Sequence, residues 1–470
     1  MAVELTEQDW TRGHAAHLLA RAGFGGSPSE IDAAHQAGAT RTVDRLLDIQ
    51  EDDDLFPSLE SFSNKEEHIA LFMSIRDSKD DPAANMMAKK QAREAEQKAL
   101  FDLRAWWLQR MRYSTNPTRE KMVLFWHGHF ATSFMKVRNP RFLWRQNELF
   151  RIHALGSFRD LACEIPRDPA MMRYLDIAGS SNTKPNENFA RELMELFLLG
   201  EGQYSEEDIR EAARAFTGYR INPMTQDVAY QARRADTGDK SVFGKTGAYD
   251  AEGLVNLLLD QPECAAFLVN KLWAFFAGGS PPPAIGKALT DTFRSSNYQT
   301  RAVLRSMFLS PDFYAPAVIR SQIKSPIEWL VGTSKSLETA LSGTRTQQNA
   351  LRDLGQSLFD PPNVKGWEGG RAWISGSTFL ARCNLAGTLF LSSSDEPGAA
   401  NLNKLFPAEI RKNPESLLES SAIRLFYQPP SGTEKDRWLA FLHPKDFPAT
   451  NETIADLLRV MMSSPNFQLT

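Results

Sequence analysis

RDPAMMRYLDIAGSSNTKPNENFARELMELFLLGEGQYSEEDIREAARAFTGY, residues 167–219, is the stretch whose reading decides the fold. It encodes three short helices with their start and stop signals. Asp168-Pro169 supplies an N-cap followed by Pro at the first helical position, opening AMMRYLD. Gly200 ends the middle helix, and Ser205 with Asp208 makes a capping box for EEDIREAARAF. At about 100° per residue, Asn188, Arg191, Glu192 and Glu195 fall within roughly one third of the middle helix's circumference. Phe189, Ala190, Leu193, Met194, Leu196, Phe197 and Leu198 fill most of the rest, so this helix is buried on most sides. The next helix repeats the arrangement with Glu207, Arg210, Glu211 and Arg214, and the two form an αα-hairpin whose polar stripes interleave acid and base.

Those stripes have two readings. Facing water, their charges are ordinary helix-surface pairs worth only about 0.3–0.5 kcal/mol each. Facing a cavity, Glu192 and Glu195 become metal ligands or an acid/base pair, with Arg191 holding them ionised or clamping an anion.

Helical signals dominate elsewhere too. Glu94 to Met111 is amphipathic, with apolar residues at three- and four-residue intervals. Asn116-Pro117 opens TREKMVLFWHGHF, and Ser27-Pro28-Ser29-Glu30 is a capping box. LRSMFLSPDF at 304–313 matches LRVMMSSPNF at 458–467, and LLLDQPECAAF at 257–267 is a looser relative. Each is a helix halted before Pro with an aromatic to pack back, a structural unit of stacked helical layers. Residues 220–250 form an irregular excursion with a short hairpin, residues 392–413 a loop or linker, and the acidic run Glu51 to Asp54 a solvated loop. The expected fold is therefore mainly α, a large multi-helix assembly with helical hairpins and little or no β-sheet. The expected organisation is an N-terminal helical region (1–219) holding the candidate site, the excursion (220–250), a helical region with a Gly/Trp-rich loop (251–391), the linker (392–413) and a C-terminal helical segment (414–470).

Several other residues could carry chemistry. His127 and His129 flank Gly128; on a continuous helix they point about 200° apart, and only unwinding at Gly128 lets them share an ion, the alternative being one packed and one exposed ring. His153, on a face with Phe142, Leu149 and Phe150, is expected to be a hydrogen-bonded core histidine. His14, His17 and Arg21 share a face just before GFGG, but no strand precedes those glycines and no phosphate-loop pattern follows. PPNVKGWEGGRAWISGS (361–377) is a loop in which Trp367 and Trp373 anchor to the core or line a groove, with Lys365 and Arg371 supplying positive charge.

Composition excludes some classes. The 470 residues are 42% hydrophobic and 24% charged, with a net charge of -4, ordinary for a globular chain and unlike a general nucleic-acid surface. No apolar run approaches the roughly 18 residues of a membrane span. No secretory signal is visible in MAVELTEQDWTRGHAAHLLARAGFGG, and Cys163, Cys264 and Cys383 have no metal spacing, so reduced thiols and the cytoplasm are the default. G-x-S-x-G, H-E-x-x-H, C-x-x-C-H and E-x-x-H patterns are absent, leaving standard hydrolase, metalloprotease, cytochrome and di-iron readings without support.

HLLARAGFG, NPTREKMVLFWHGHFATS, RDPAMMRYLD, PNENFARELMELFLLGEGQYSEEDIREAARAFTGY and PPNVKGWEGGRAWIS occur in that order from near Leu18 to about Asn384. Together they resemble a bacterial family, the domain of unknown function numbered 1800, which carries no established activity. The resemblance implies a partner: relatives are often encoded beside a sulfatase-like protein of the domain of unknown function family 1501, which often bears an export signal, so a periplasmic location by co-export is the alternative. It also marks a departure. Where the family often has H-D-x-G-x-K-x-x-x-G, this chain has Ala235-Asp236-Thr237-Gly238-Asp239-Lys240 and then Gly244, so the histidine is missing while Asp236 and Lys240 remain.

The functional expectation is a polar site of His127, His129, Glu187, Asn188, Arg191, Glu192 and Glu195, joined by Asp176 and Asp236 and by Lys365, Trp367 and Arg371. It would bind a divalent metal ion or an anion, with Glu192, Glu195 and Arg191 catalytic in hydrolytic or acid/base chemistry. The alternative is a non-catalytic helical partner or escort of the sulfatase-like protein.

Overall fold

The computed structural model describes residues 4–50, 52, 55–56, 65–391 and 398–470. Helix makes up 63% and strand 4%, the mainly α fold that the patterning predicts. The elements used below are α1 (Arg12–Ala22), α2 (Pro82–Tyr113), α3 (Pro117–His129), α4 (Pro140–Ile152), α5 (Pro169–Tyr174) and α6 (Glu187–Glu192, continued by a π-helical segment, Leu193–Leu198). They continue with α7 (Glu206–Ala215), β1 (Tyr219–Ile221), β2 (Val228–Tyr230), β3 (Lys240–Val242), β4 (Lys245–Gly247), α8 (Pro262–Phe276), α9 (Thr300–Phe308), α10 (Pro326–Ser336) and α11 (Asn451–Met462). Pro opens α2, α3, α4, α5, α8 and α10, at the position where its missing N–H leaves no helical bond unmade. Among the described residues no helix is long and apolar enough to cross a membrane.

One buried apolar cluster runs from Leu5 to Phe467, and α3 lies inside it. Every α3 residue from Thr118 to His127 is buried, and His129 with them, so this helix is enclosed on all sides. Trp126 stacks on Phe158 at 5.3 Å between ring centres, and Phe158 on Phe130 at 6.1 Å. Being enclosed, α3 also takes its charged residues inside. Glu120 accepts from Arg110 and Arg151, and Lys121 is paired with Glu328 of α10.

The acidic run departs from expectation. Asp52 is buried, paired with Arg110 and Arg119, and accepts the Thr115 N–H at 3.1 Å, because two guanidiniums on neighbouring helices need an anion there. The rest of that run, Glu51, Asp53 and Asp54, lies outside the described residues. The excursion after α7 holds two hairpins where one was expected, β1–β2 (Tyr219 opposite Tyr230) and β3–β4 (Lys240 opposite Gly247). Within 392–413, Leu402, Leu405 and Phe406 join the core, while 392–397 lie outside the described residues. The repeated units form as read: α9 and α11 each give way to a 3-10 turn beginning on Pro311 or Pro465, whose Phe313 or Phe467 is buried.

Both expected caps form on the deciding stretch. Ser205 and Asp208 complete a capping box on α7, and the Asp168 carboxylate accepts the Met171 N–H at 2.7 Å and the Gln146 amide at 2.7 Å. Burial pushes the Asp168 carboxyl up from 3.8 to about 7. The folded chain therefore keeps a proton that the unfolded chain releases, and this group's contribution to stability, full below pH 3.8, is lost as pH rises to about 7. Urea denaturation from pH 4 to 8 should show that slope, and Asp168→Asn, which keeps a side-chain acceptor without a titrating group, should flatten it. An unchanged slope in the variant would remove Asp168 as its source.

Candidate functional site

Helix α3 continues through Gly128 to His129, so the two histidines point to different sides, and both are buried where one packed and one exposed ring were expected. His127 packs against Trp107 (5.4 Å), Phe359 (5.3 Å) and Trp367 (5.5 Å), and its Nε2 accepts the Phe359 N–H at 3.2 Å. His129 turns toward the end of α6. There the helix closes with π geometry: the N–H groups of Leu199 and Gly200 both reach back to Met194 O, at 2.8 and 3.2 Å. Gly200 sits at φ +95, where a side chain would be strained. The terminal carbonyls of Leu196 and Phe197 are left for outside donors. Phe197 O takes the His129 Nε2–H at 3.0 Å, and Leu196 O takes Lys271 Nζ from α8 at 2.7 Å. Lys271 Nζ also lies 3.3 Å from His129 Nδ1. The first bond fixes the tautomer, so Nδ1 is the acceptor in the second. Burial and the neighbouring Lys271 hold the His129 imidazole neutral, far below its usual range, and burial brings the Lys271 ammonium down to about 8.

His129 and Lys271 face a cavity of about 680 Å³, within the range of small-molecule sites. Its far wall is the Gly/Trp loop, which contributes Lys365, Trp367, Glu368, Arg371 and Trp373. The loop reaches α3 through Gly366, at φ +79, where a Cβ would lie 2.2 Å from Gly128 O; only glycine allows that approach. Trp373 is buried and anchors the loop, whereas Trp367 is half-buried, against His127 and along the cavity. The floor includes Glu328 and Gln356. Burial alone would push the Glu328 carboxyl up, but Lys121 beside it brings it below the usual range, so it is already neutralised. Among the described residues no carboxylate lies within ion-pair distance of Lys271, Lys365 or Arg371.

The remaining expected site residues sit elsewhere. Glu187 and Asn188 are exposed at the start of α6. Arg191 is spent on a bidentate pair with Glu206, at 2.8 and 2.7 Å, on the open side of the hairpin. Glu195 accepts the Tyr204 hydroxyl at 2.7 Å. Glu192 is half-buried, its carboxyl raised by that burial and by Glu195 and opposed by Lys365. Asp176, exposed, pairs with Lys136 at 2.8 Å, and Asp236 pairs with Arg214 at 2.8 Å, tying the excursion to α7. Among the described residues no group of three or more His, Cys, Asp or Glu side chains is placed to hold a metal ion. Thus His129, Lys365, Trp367 and Arg371 share one cavity, while His127, Asp176, Asp236 and the α6 acids do not line it. His153 is half-buried at the C-cap of α4, and His17 bonds Phe313 O at 3.1 Å. Sequence reasoning overlooked Lys271, although one cation in LVNKLWAFF carries the same signal as the α6 stripe.

This is a helical protein with a cationic cavity between α3, α8 and the Gly/Trp loop. The chain matches, over residues 17–469, the family model described as Protein of unknown function (DUF1800), and it belongs to that family. Comparison with curated proteins and with solved structures gave no match.

Proposed function

We propose that the protein binds an anionic small molecule, a carboxylate or phosphate bearing an apolar or planar group, in the cavity between α3, α8 and the Gly/Trp loop. The observation that carries this reading is the convergence of Lys271, Lys365 and Arg371 on one open cavity, with no carboxylate among the described residues in ion-pair distance of any of them. Glu368 is the acid opposed to them, since Glu328 is satisfied by Lys121. Lys271 is half-buried, and a partly desolvated cation attracts an anion more strongly than the exposed Lys365 and Arg371 at the mouth do. Trp367 offers the flat apolar face that orients such a ligand. The Lys271–His129 contact places a neutral imidazole acceptor beside the lysine, so Lys271 is the group at this site that can exchange a proton.

Isothermal titration with phenyl phosphate and with inorganic phosphate at low salt tests this. Phenyl phosphate should bind the tighter of the two and weaken as salt is added. Arg371→Ala should cost about tenfold in affinity, about 1.4 kcal/mol. Equal affinities in parent and Arg371→Ala, or no binding by the parent, would sink the reading.

A further inference from the structure

We propose that Lys271 is a nucleophilic amine that condenses with the carbonyl group of an anionic aldehyde or 2-oxo acid. The proposal rests on the anion-binding reading above and names the substrate class of that cavity.

Three features of the Lys271 environment carry it. First, no carboxylate among the described residues holds the half-buried Lys271 ammonium charged, whereas the fully buried Lys121 has Glu328. Second, the two neighbours of Nζ, Leu196 O at 2.7 Å and His129 Nδ1 at 3.3 Å, are both acceptors. His129 Nδ1 cannot become a donor without surrendering the Nε2–H bond to Phe197 O or charging a buried ring. A neutral amine has two N–H groups and one lone pair, so these acceptors satisfy both hydrogens and leave the lone pair unused. Third, the residue lines the cavity in which Arg371 and Lys365 would hold the anionic end of a substrate. The Phe267 ring lies 4.7 Å from Nζ on another side, a contact that favours the ammonium, so the amine forms only as the proton leaves. Burial, which brings this lysine down to about 8, is consistent with the same state. Roughly a tenth of such amines are neutral at pH 7, against well under a thousandth for a solvated lysine.

The step balances without a co-reactant. The Nζ lone pair attacks the carbonyl carbon, an N–C bond forms, and the C=O π pair moves to oxygen. A proton passes from nitrogen to that oxygen, giving a carbinolamine. A proton taken up from the water of the cavity turns that hydroxyl into a leaving water; its departure breaks the C–O bond while the nitrogen lone pair forms the C=N bond, leaving a protonated imine. Its remaining N–H can keep the bond to Leu196 O, at the electronegative end of α6. Nothing is oxidised or reduced.

The test is reductive trapping on the full chain. The protein is incubated with glyoxylate at pH 8, reduced with sodium cyanoborohydride, and mapped by peptide mass spectrometry. Lys271 should be modified about tenfold or more above exposed lysines such as Lys245, and phenyl phosphate should suppress that modification. Lys271→Arg, which keeps a donor at Leu196 O but cannot form an imine, should lose the adduct. Labelling of Lys271 at the level of exposed lysines in a parent that binds phenyl phosphate would overturn the nucleophile and leave the anion site standing. Absence of both would overturn both readings. Selective labelling that phenyl phosphate fails to suppress would overturn the assigned substrate class. The suppression experiment uses the parent alone, so it holds even where Lys271→Arg does not fold.

Discussion

Glu120→Ala should lower the unfolding free energy by about 3–5 kcal/mol, the range for removing one partner of a buried ionic network. The carboxylate is fully buried in the first turn of α3. One oxygen accepts from Arg151 Nε at 2.8 Å and Arg110 Nε at 3.2 Å. The other accepts from Arg151 Nη2 at 3.0 Å and Trp107 Nε1 at 3.2 Å. Truncation deprives two buried guanidiniums of their shared anion and leaves an indole N–H without an acceptor. The pH dependence has a definite sign. Burial pushes the carboxyl up, yet Arg151 and Arg110 outweigh it and hold it below 4.5. Its stabilisation is therefore present above that value and lost as pH falls through the depressed one. Glu120→Gln should fall between parent and Ala, because it keeps acceptor shape without charge. Denaturant melts followed by circular dichroism give the number, and a loss under about 1 kcal/mol would mean that the network relaxes around the gap.

Gly366→Ala should detach the Gly/Trp loop and abolish phenyl phosphate binding, with α3 and the core intact. The left-handed φ of +79 alone costs a non-glycine residue about 1–2 kcal/mol. The new methyl would also lie 2.2 Å from Gly128 O, a backbone atom inside a buried helix that cannot retreat. The loop must move instead, taking Lys365 and Trp367 out of the cavity wall. Gly128→Ala is the control. A Cβ there meets nothing within 4 Å, and Ala exceeds Gly in helix propensity by about 1 kcal/mol, so this variant should fold at least as well as the parent. Tryptophan fluorescence and titration on the two variants separate the cases. Full-affinity binding by Gly366→Ala would show that the loop does not form the site.

Much of the fold is legible because its signals are local. Ser27, Asp168 and Ser205 cap helices with bonds that span three residues, and Pro at the first helical position needs no tertiary context. The candidate cavity is legible only in part, because its decisive contact joins Lys271 to His129, 142 residues away in sequence. Lys365, Trp367 and Arg371 stood out through loop composition, but nothing in the sequence tells a tryptophan that anchors from one that lines. The α6 stripe shows a subtler difficulty. A wheel at about 100° per residue assumes α geometry, and from Leu193 the chain is π-helical, so Glu195 no longer lies where the wheel places it. Arg191 meets Glu206 across a turn, a pairing within the hairpin that a single-helix projection cannot show. Asp52 illustrates the converse: charge clustering suggests solvent, and only the positions of Arg110 and Arg119 reveal a buried counter-ion.

The π-turn ending α6 makes that segment a measuring rule. A π-turn spends one more residue per closure than an α-turn, and the surplus between Glu192 and Gly200 swings two carbonyls toward donors on α3 and α8. What the fold requires there is a tally of residues more than their identities. Leu, Met and Phe could exchange places at modest packing cost, whereas a one-residue deletion would restore the α-turn, rotate the carbonyls away and unhook His129 and Lys271 together. The segment is thus tolerant of substitution and intolerant of slippage, and its constraint is written in length.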